Sequence, residues 1–201
     1  MKIFLAFLSL HIFTAAKTFS QMEKQIPVNW KIFNQIDGDF NNDKIKDSFV
    51  MIDSMDTKNT WVCAKRILLI FHGTENGLIL VDKNTLIFSD ISRIVDADVI
   101  SLTTNVNIIR MWIGDMNVSG YNGGMSYTFR FQNKKWYAIG CSSSFEKLTN
   151  DDQIIKEDFS HNFITGKHER IFKIDSKIVS KTVKKKMLNQ YLFSQYNGVC
   201  E

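Results

Sequence analysis

The sequence predicts a mainly β protein, a single domain of antiparallel, hairpin-rich sheet with few short helical turns. Short runs rich in β-branched and aromatic residues recur along the chain, and Gly, Asn, Asp or Ser separate them, which is the pattern of strands joined by turns. Helical periodicity is weak, and its two candidates, residues 86–99 and 187–193, have no firm cap. The predicted strands cover residues 61–71, 78–81, 108–113, 126–131, 136–139 and 170–174.

The first twenty residues have the pattern of a secretory signal peptide. Lys2 precedes an almost uninterrupted apolar stretch at residues 3–16, and small residues follow. This stretch is shorter than the roughly 20 apolar residues of a membrane-spanning helix, so an uncleaved anchor is the weaker alternative. Cleavage after Ala16 and cleavage after Ser20 fit equally well, and neither site has the cysteine of a lipoprotein. We therefore expect a periplasmic or secreted protein whose mature part, residues 21–201, is one domain.

The net charge argues against a nucleic-acid partner. The whole chain carries a formal charge of +4, and removal of residues 1–20 takes away two lysines and no acid, which leaves +2. The basic residues between Lys167 and Lys186 are interspersed with two acids, Glu169 and Asp175, and with few aromatics. We interpret them as solvated strand faces and lysines that protect a sheet edge, and a contact with a polyanion or the cell surface is the alternative. No later segment reaches membrane-spanning length, so we expect no stable membrane insertion after cleavage.

An acidic loop near the mature N-terminus is the most informative motif. Residues 39–47 place oxygen-bearing side chains two to four positions apart and lead into the apolar residues 49–52. Calcium prefers six to eight hard oxygen ligands, so the spacing predicts a calcium loop that runs into a strand. The candidate metal ligands are Asp39, Asn41, Asp43, the carbonyl oxygen of Ile45, and Asp47.

This loop resembles the Gly-Asp-Phe-Asn-x-Asp-Gly-x-x-Asp segment of FG-GAP or VCBS repeats, with the FG-GAP-like loop at residues 37–50. Further segments, residues 127–140 and 162–167, are similar to a group of exported bacterial proteins of unassigned function that carry one such loop near the mature N-terminus. The resemblance implies that the loop holds a structural calcium ion between two strands. A complete propeller is excluded because the chain contains a single segment of this kind.

One position departs from the repeat pattern. Lys44 stands where glycine is usual, although the turn needs a left-handed conformation that costs a residue with a Cβ roughly 1 kcal/mol. Its ammonium group also opposes cation binding. An EF-hand fits less well, because Val50 stands where that loop needs a bidentate glutamate. Asp and Asn also form turns through their own backbone, so a metal-free turn is the alternative.

The chain predicts one further hairpin clearly. Alternation puts Tyr127, Phe129 and Phe131 on one face of a strand, and a polar turn at residues 132–135 leads into the next strand. A second turn is expected from Gly73 to Gly77.

Three cysteines, Cys63, Cys141 and Cys200, remain in the mature chain. An odd number in an exported protein allows one disulfide and one thiol. The sequence leaves all three pairings open, as well as three free thiols.

No complete catalytic constellation is present. Ser144 and Lys147 match the Ser-x-x-Lys element of penicillin-binding proteins, but the partner motifs of that class are missing, and we expect Ser144 in a loop or at a helix cap. The histidines lack zinc-site spacing. A nucleophilic pair of Cys141 with His161 or His72 is a weak alternative.

A sugar site is another alternative. Trp112 and Asp115 lie at a glycine-rich stretch that runs from Gly114 to Gly124. They could provide an aromatic platform and a carboxylate, although aromatic residues beside glycines more often pack at a sheet edge.

We therefore expect an exported, calcium-binding, non-enzymatic binding or interaction protein. Its partner would be an unknown protein or envelope component, and a specific version is a periplasmic inhibitor or immunity protein that blocks a cell-wall-attacking toxin. The alternative is a hydrolase of envelope polymers with unidentified catalytic carboxylates. A carboxylate-lined cleft would favour the enzyme, and an apolar patch away from the loop would favour the binder.

Overall fold

The structure is a computed structural model that describes residues 22–54, 65–88, 100–105, 107–118, 120–185, 190–198 and 200. It confirms a mainly β, antiparallel protein. Within the described ranges there is no helix of seven or more residues, and no helix there is long and apolar enough to cross a membrane.

A small sheet contains the first four strands in sequence order, β1-β2-β3-β4. Each strand pairs with the next in antiparallel fashion, so the sheet is two hairpins laid side by side. The acidic loop joins β1 to β2, and the predicted Gly73–Gly77 turn joins β3 to β4. The bounds are β1 Trp30–Gly38, β2 Asp47–Ser54, β3 Arg66–Thr74 and β4 Gly77–Asn84.

A larger sheet has the order β11-β10-β9-β8-β7-β6-β5. The short strand β12 pairs with the start of β8, on the side where β9 does not reach. All of its pairs are antiparallel, and β11 is an edge strand. The bounds are β5 Ile100–Asn105, β6 Ile108–Val118, β7 Tyr121–Gln132, β8 Lys135–Leu148, β9 Ile154–Asn162, β10 Lys167–Ile174, β11 Lys177–Lys185 and β12 Tyr191–Leu192.

The two sheets share one apolar core, which is consistent with a single domain. Alternation along β2 sends Phe49 to this core, and its ring lies 6.2 Å from the ring of Phe129 on β7. Phe40 from the acidic loop reaches the same core and makes an edge contact with Trp136 at 6.3 Å. The acidic loop is therefore anchored in the interface between the sheets.

Strand β2 of the small sheet is buried on both faces. Val50 and Ile52 point away from the shared core, and they pack with Phe71 against Met22 from the start of the described chain. This explains why β2 reads as a continuous apolar run, because a strand buried on both faces does not alternate.

The C-terminal segment closes the core and is joined covalently to it. A short 3-10 helix, Phe193–Gln195, brings Phe193 within 5.0 Å of Phe129. The Asn84 side chain donates hydrogen bonds to the carbonyls of Phe193 and Tyr196. A disulfide joins Cys141 on β8 to Cys200, so the structure selects one of the three pairings.

The predicted hairpin between β7 and β8 is confirmed, with Asn133 and Lys134 as its two turn residues. Both have positive φ angles, 51° and 60°, as the common two-residue hairpin turn requires. The strand lengths were underestimated, since β8 continues to Leu148 through a serine-rich stretch of low strand propensity. Strands β1, β5, β9 and β11 were not predicted because their polar residues hide the apolar pattern.

The expected helical candidates fall partly outside the described residues. Residues 89–99 and 187–189 are not described, and neither is the predicted strand start at residues 61–64. The described part of the second candidate contains β12 and the start of the 3-10 helix.

Candidate functional site

The acidic loop is held together by its own side chains. Asp39 accepts hydrogen bonds from the backbone N–H groups of Asp43, at 3.1 Å, and Lys44, at 2.9 Å. Asn41 accepts from the Asp43 N–H at 2.9 Å, and Asp43 accepts from the Ile45 N–H at 2.8 Å. The bonds to Asn41 and Asp43 are the Asx turns expected of Asp and Asn in a tight loop, and the bonds to Asp39 close the loop across four and five residues.

Asp47 fastens the end of the loop to the small sheet. Its side chain is fully buried, one carboxylate oxygen accepts from the Phe40 N–H at 2.8 Å, and the other accepts from the Gly73 N–H at 2.8 Å. Burial raises the pKa of Asp47, while the two backbone N–H groups act in the opposite direction. Asp47 is therefore a structural clamp between the acidic loop and β3.

Lys44 adopts the left-handed conformation that the sequence predicted for the glycine position. Its φ angle is 70°, and Asn42 has a φ of 65°. A residue with a Cβ therefore occupies a strained position of this loop.

The predicted calcium ligands have suitable chemistry. All five donors are oxygens, and a carboxylate or amide oxygen that accepts one hydrogen bond keeps a second lone pair. In the described part of the chain, however, no three Asp, Glu, His or Cys side chains converge as a metal site. Calcium binding at this loop therefore stays a prediction.

His72 links the acidic loop to the core. Trp136 donates a hydrogen bond from its indole nitrogen to His72 Nε2 at 3.1 Å, which requires that nitrogen to be unprotonated. Burial lowers the pKa of His72, while the charges of Asp47 and Asp43 oppose the shift. This histidine is a packed core residue, with the Phe131 ring 5.0 Å away.

A second candidate site lies on the face of the large sheet that points away from the core. It is a cleft of about 370 Å³, within the range of roughly 300–1,000 Å³ that is usual for ligand pockets. Strand register sets side chains in one row across five strands, because directly paired residues point to the same face. The row is Trp112, Ser126, Ser142, Ser160 and Glu169.

Trp112 forms one wall of this cleft and rests on glycines. A Cβ placed on Gly114 would come within 1.7 Å of the indole, and one placed on Gly124 would come within 2.9 Å. The two glycines thus leave the space that the ring fills. The indole remains 39% exposed, so part of it is available to a ligand.

Two carboxylates stand on the opposite side of the cleft, and lysines neutralise both. Asp158 accepts hydrogen bonds from the Ser144 hydroxyl at 2.8 Å and from Lys173 at 2.6 Å. Burial acts to raise the pKa of Asp158, but these hydrogen bonds outweigh it and the pKa is lowered. Glu169 pairs with Lys167 at 2.8 Å and Lys181 at 2.6 Å, which lowers the pKa of Glu169 to about 2.

The structure separates the Ser-x-x-Lys pair. Ser144 lies in β8, so the expectation of a loop or helix cap was wrong. Residues three apart on a strand point to opposite faces, and the Ser144 hydroxyl donates to Asp158. Lys147 is therefore not placed to activate this serine.

The other catalytic alternatives are also resolved in part. Cys141 does face His161 across the β8–β9 pair, but its sulfur is bonded to Cys200 and is no thiolate nucleophile. Trp112 lies at a cleft as the sugar hypothesis required, while the Asp115 side chain lies outside the described residues.

Sequence reasoning missed most of the cleft. The serines come from three consecutive strands, and only the register of those strands brings them into one row. One signal was visible, namely the three consecutive serines at residues 142–144 in a strand-forming region. Comparison with known proteins finds no match to a family model, a curated protein or a solved structure, so the resemblance to FG-GAP or VCBS repeats stays an expectation.

Proposed function

We propose that the mature chain is an exported, non-enzymatic binding or interaction module. One observation carries this proposal: both carboxylates of the cleft are paired with lysines, and both have a lowered pKa. A general acid at neutral pH needs a carboxyl group whose pKa is raised. Asp158 and Glu169 thus stay ionised and can accept hydrogen bonds, but they have no proton to donate.

Among the described residues that line the cleft, Asp158 and Glu169 are the acids, so the hydrolase alternative has no acid of raised pKa there. Glycosidases of the two-carboxylate class combine an acid of raised pKa with an ionised partner. Burial raises the pKa of Asp47 and of Asp82, but neither carboxyl lines this cleft. The arrangement therefore favours binding over hydrolysis.

Export is supported by two independent features. The first twenty residues have the pattern of a signal peptide. The Cys141–Cys200 disulfide suits an oxidising compartment such as the periplasm or the cell exterior.

The acidic loop would act as a structural calcium site within this module. Asp39, Asn41, Asp43 and the Ile45 carbonyl would supply oxygen ligands, and Asp47 would complete the set. The ion would reduce the repulsion among the three carboxylates and stabilise the folded state wherever free calcium exceeds the dissociation constant.

A thermal melt of the exported protein in calcium, magnesium or a chelator tests the loop. We expect a calcium-selective rise in melting temperature that Asp43→Ala removes. Asp151→Ala is the matched control, because Asp151 is an exposed acid outside the loop. Equal melting temperatures in calcium and in chelator would show that the loop is a metal-free turn.

The inhibitor or immunity version of the proposal is supported by the β10–β11 hairpin. Strand β11 is exposed along its whole length, and Ile178, Val179 and Val183 are exposed apolar residues there. These residues lie on an edge strand of the large sheet, whereas the acidic loop joins strands of the small sheet, and exposed apolar residues are a feature of protein-binding surfaces.

Sedimentation with purified cell-envelope material tests binding against hydrolysis. We expect the protein to sediment with the envelope and to release no soluble fragments. Fragment release that Glu169→Gln and Asp158→Asn abolish would establish the hydrolase and overturn the proposed function.

A further inference from the structure

We propose that the serine-floored cleft on the outer face of the large sheet binds a neutral oligosaccharide. This inference rests on the proposed function, a non-enzymatic binding module, and names its ligand class. It depends on the shape of the cleft, on its hydroxyl-rich floor and on the one aromatic wall.

The small floor residues create the cleft. Sheet faces are usually covered by β-branched or aromatic side chains, whereas here Ser126, Ser142 and Ser160 are adjacent on β7, β8 and β9. Trp112 stands higher on one side, and the long side chain of Glu169, with its lysine partners, stands higher on the other. A ligand can therefore lie along the row between two raised edges.

The length of the row favours a ligand with several units. Four strand spacings separate Trp112 from Glu169, and each spacing is about 4.8 Å, which makes the row roughly 19 Å long. Hydroxyl groups that both donate and accept hydrogen bonds line it. An oligosaccharide, in which each ring carries several hydroxyl groups, matches this repeated row of hydroxyls.

The aromatic wall fits one face of a sugar ring. A pyranose carries hydroxyls around its rim and C–H groups on its faces, so it packs well against a half-exposed indole. The glycines beneath Trp112 hold that indole in place. An aromatic platform with a few convergent polar groups is the usual composition of a small-ligand site.

The ion pairs at the cleft favour a neutral ligand over a polyanion. The lysines here outnumber the two carboxylates, but each lysine is engaged in an ion pair with Asp158 or Glu169, so a polyanion would have to compete for them. An extended peptide is disfavoured as well, because peptides usually add to a free strand edge, and the floor here is formed by strands paired on both sides.

Titration calorimetry of the exported protein with four neutral tetrasaccharides tests the proposal. The probes are maltotetraose, cellotetraose, tetra-N-acetylchitotetraose and mannotetraose, with a heparin tetrasaccharide as the anionic comparison. We expect at least one neutral probe to bind. Trp112→Ala should weaken that binding roughly tenfold or more.

Two further variants separate the site from general effects on the fold. In Gly114→Ala the added methyl group would meet the indole, and in Ser142→Leu a bulky side chain would fill the floor, so both should lose binding. Phe33→Ala is the matched control, because Phe33 is 38% exposed on the small sheet and should bind as wild type. Circular dichroism melts would verify that each variant is folded.

Three results would overturn the inference: no heat with any neutral probe, unchanged binding by folded Trp112→Ala, or binding of the heparin probe alone. Chromatography of the same samples distinguishes the inference from the proposed function. A neutral probe that is bound and recovered intact supports both, whereas one that is bound and cleaved supports the site and overturns the non-enzymatic function. If no neutral probe binds, the inference is overturned, and the sedimentation experiment with cell-envelope material then decides the proposed function.

Discussion

The Asp47 clamp yields the most quantitative prediction for this protein. In Asp47→Ala, the backbone N–H groups of Phe40 and Gly73 lose buried acceptors at 2.8 Å. An unsatisfied buried donor costs about 1–3 kcal/mol, so two cost about 2–6 kcal/mol. Removal of the carboxylate also removes its own desolvation cost, which offsets part of this loss. We therefore expect the free energy of unfolding to fall by about 2–4 kcal/mol.

The assay is thermal unfolding followed by circular dichroism, with chelator present so that calcium does not contribute. For a chain of this size each kcal/mol shifts the melting temperature by about 2–4 °C, so Asp47→Ala should melt about 4–16 °C lower. Asp47→Asn keeps one acceptor oxygen and should lose about half as much. Asp151→Ala, at an exposed position outside the acidic loop, is the control and should change little. A melt of Asp47→Ala within about 2 °C of wild type would refute the clamp.

Three other predictions concern the disulfide, Lys44 and Glu169. Cys200→Ser removes a disulfide between residues 59 positions apart and should lower the free energy of unfolding by about 4 kcal/mol. Under reducing conditions, the melting temperatures of this variant and of wild type should match. Lys44→Gly relieves a left-handed residue at φ 70° and should stabilise the protein by about 0.5–1 kcal/mol in the same melt; a lower melting temperature would contradict this. Glu169 has a pKa lowered from 4.5 to about 2, so its stabilising effect is present above the unfolded pKa and is lost as the pH falls through the folded value. Urea unfolding between pH 5 and pH 2 should therefore show that acid lowers the free energy of unfolding less in Glu169→Gln than in wild type. Equal losses in both proteins would contradict the ion pairs of Glu169 with Lys167 and Lys181.

Several structural features could be predicted because they depend on neighbouring residues. The face shared by Tyr127 and Phe129 follows from strand alternation, and both side chains are buried. The left-handed conformation of Lys44 follows from the turn chemistry of its loop. The ends of β8 could not be predicted, since serines form strands only when neighbouring strands supply the pairing.

The sequence by itself determined the mainly β class and the position of the acidic loop, because alternation and turn residues act over a few positions. Only the tertiary structure decided that Asp47 reaches Gly73, that Cys141 pairs with Cys200, and which side chains meet across the cleft. Those contacts depend on strand register, and a shift of one residue would turn each side chain to the opposite face. The order of strands in the large sheet therefore brings Trp112, the serines and Glu169 into one row, although they are scattered along the chain.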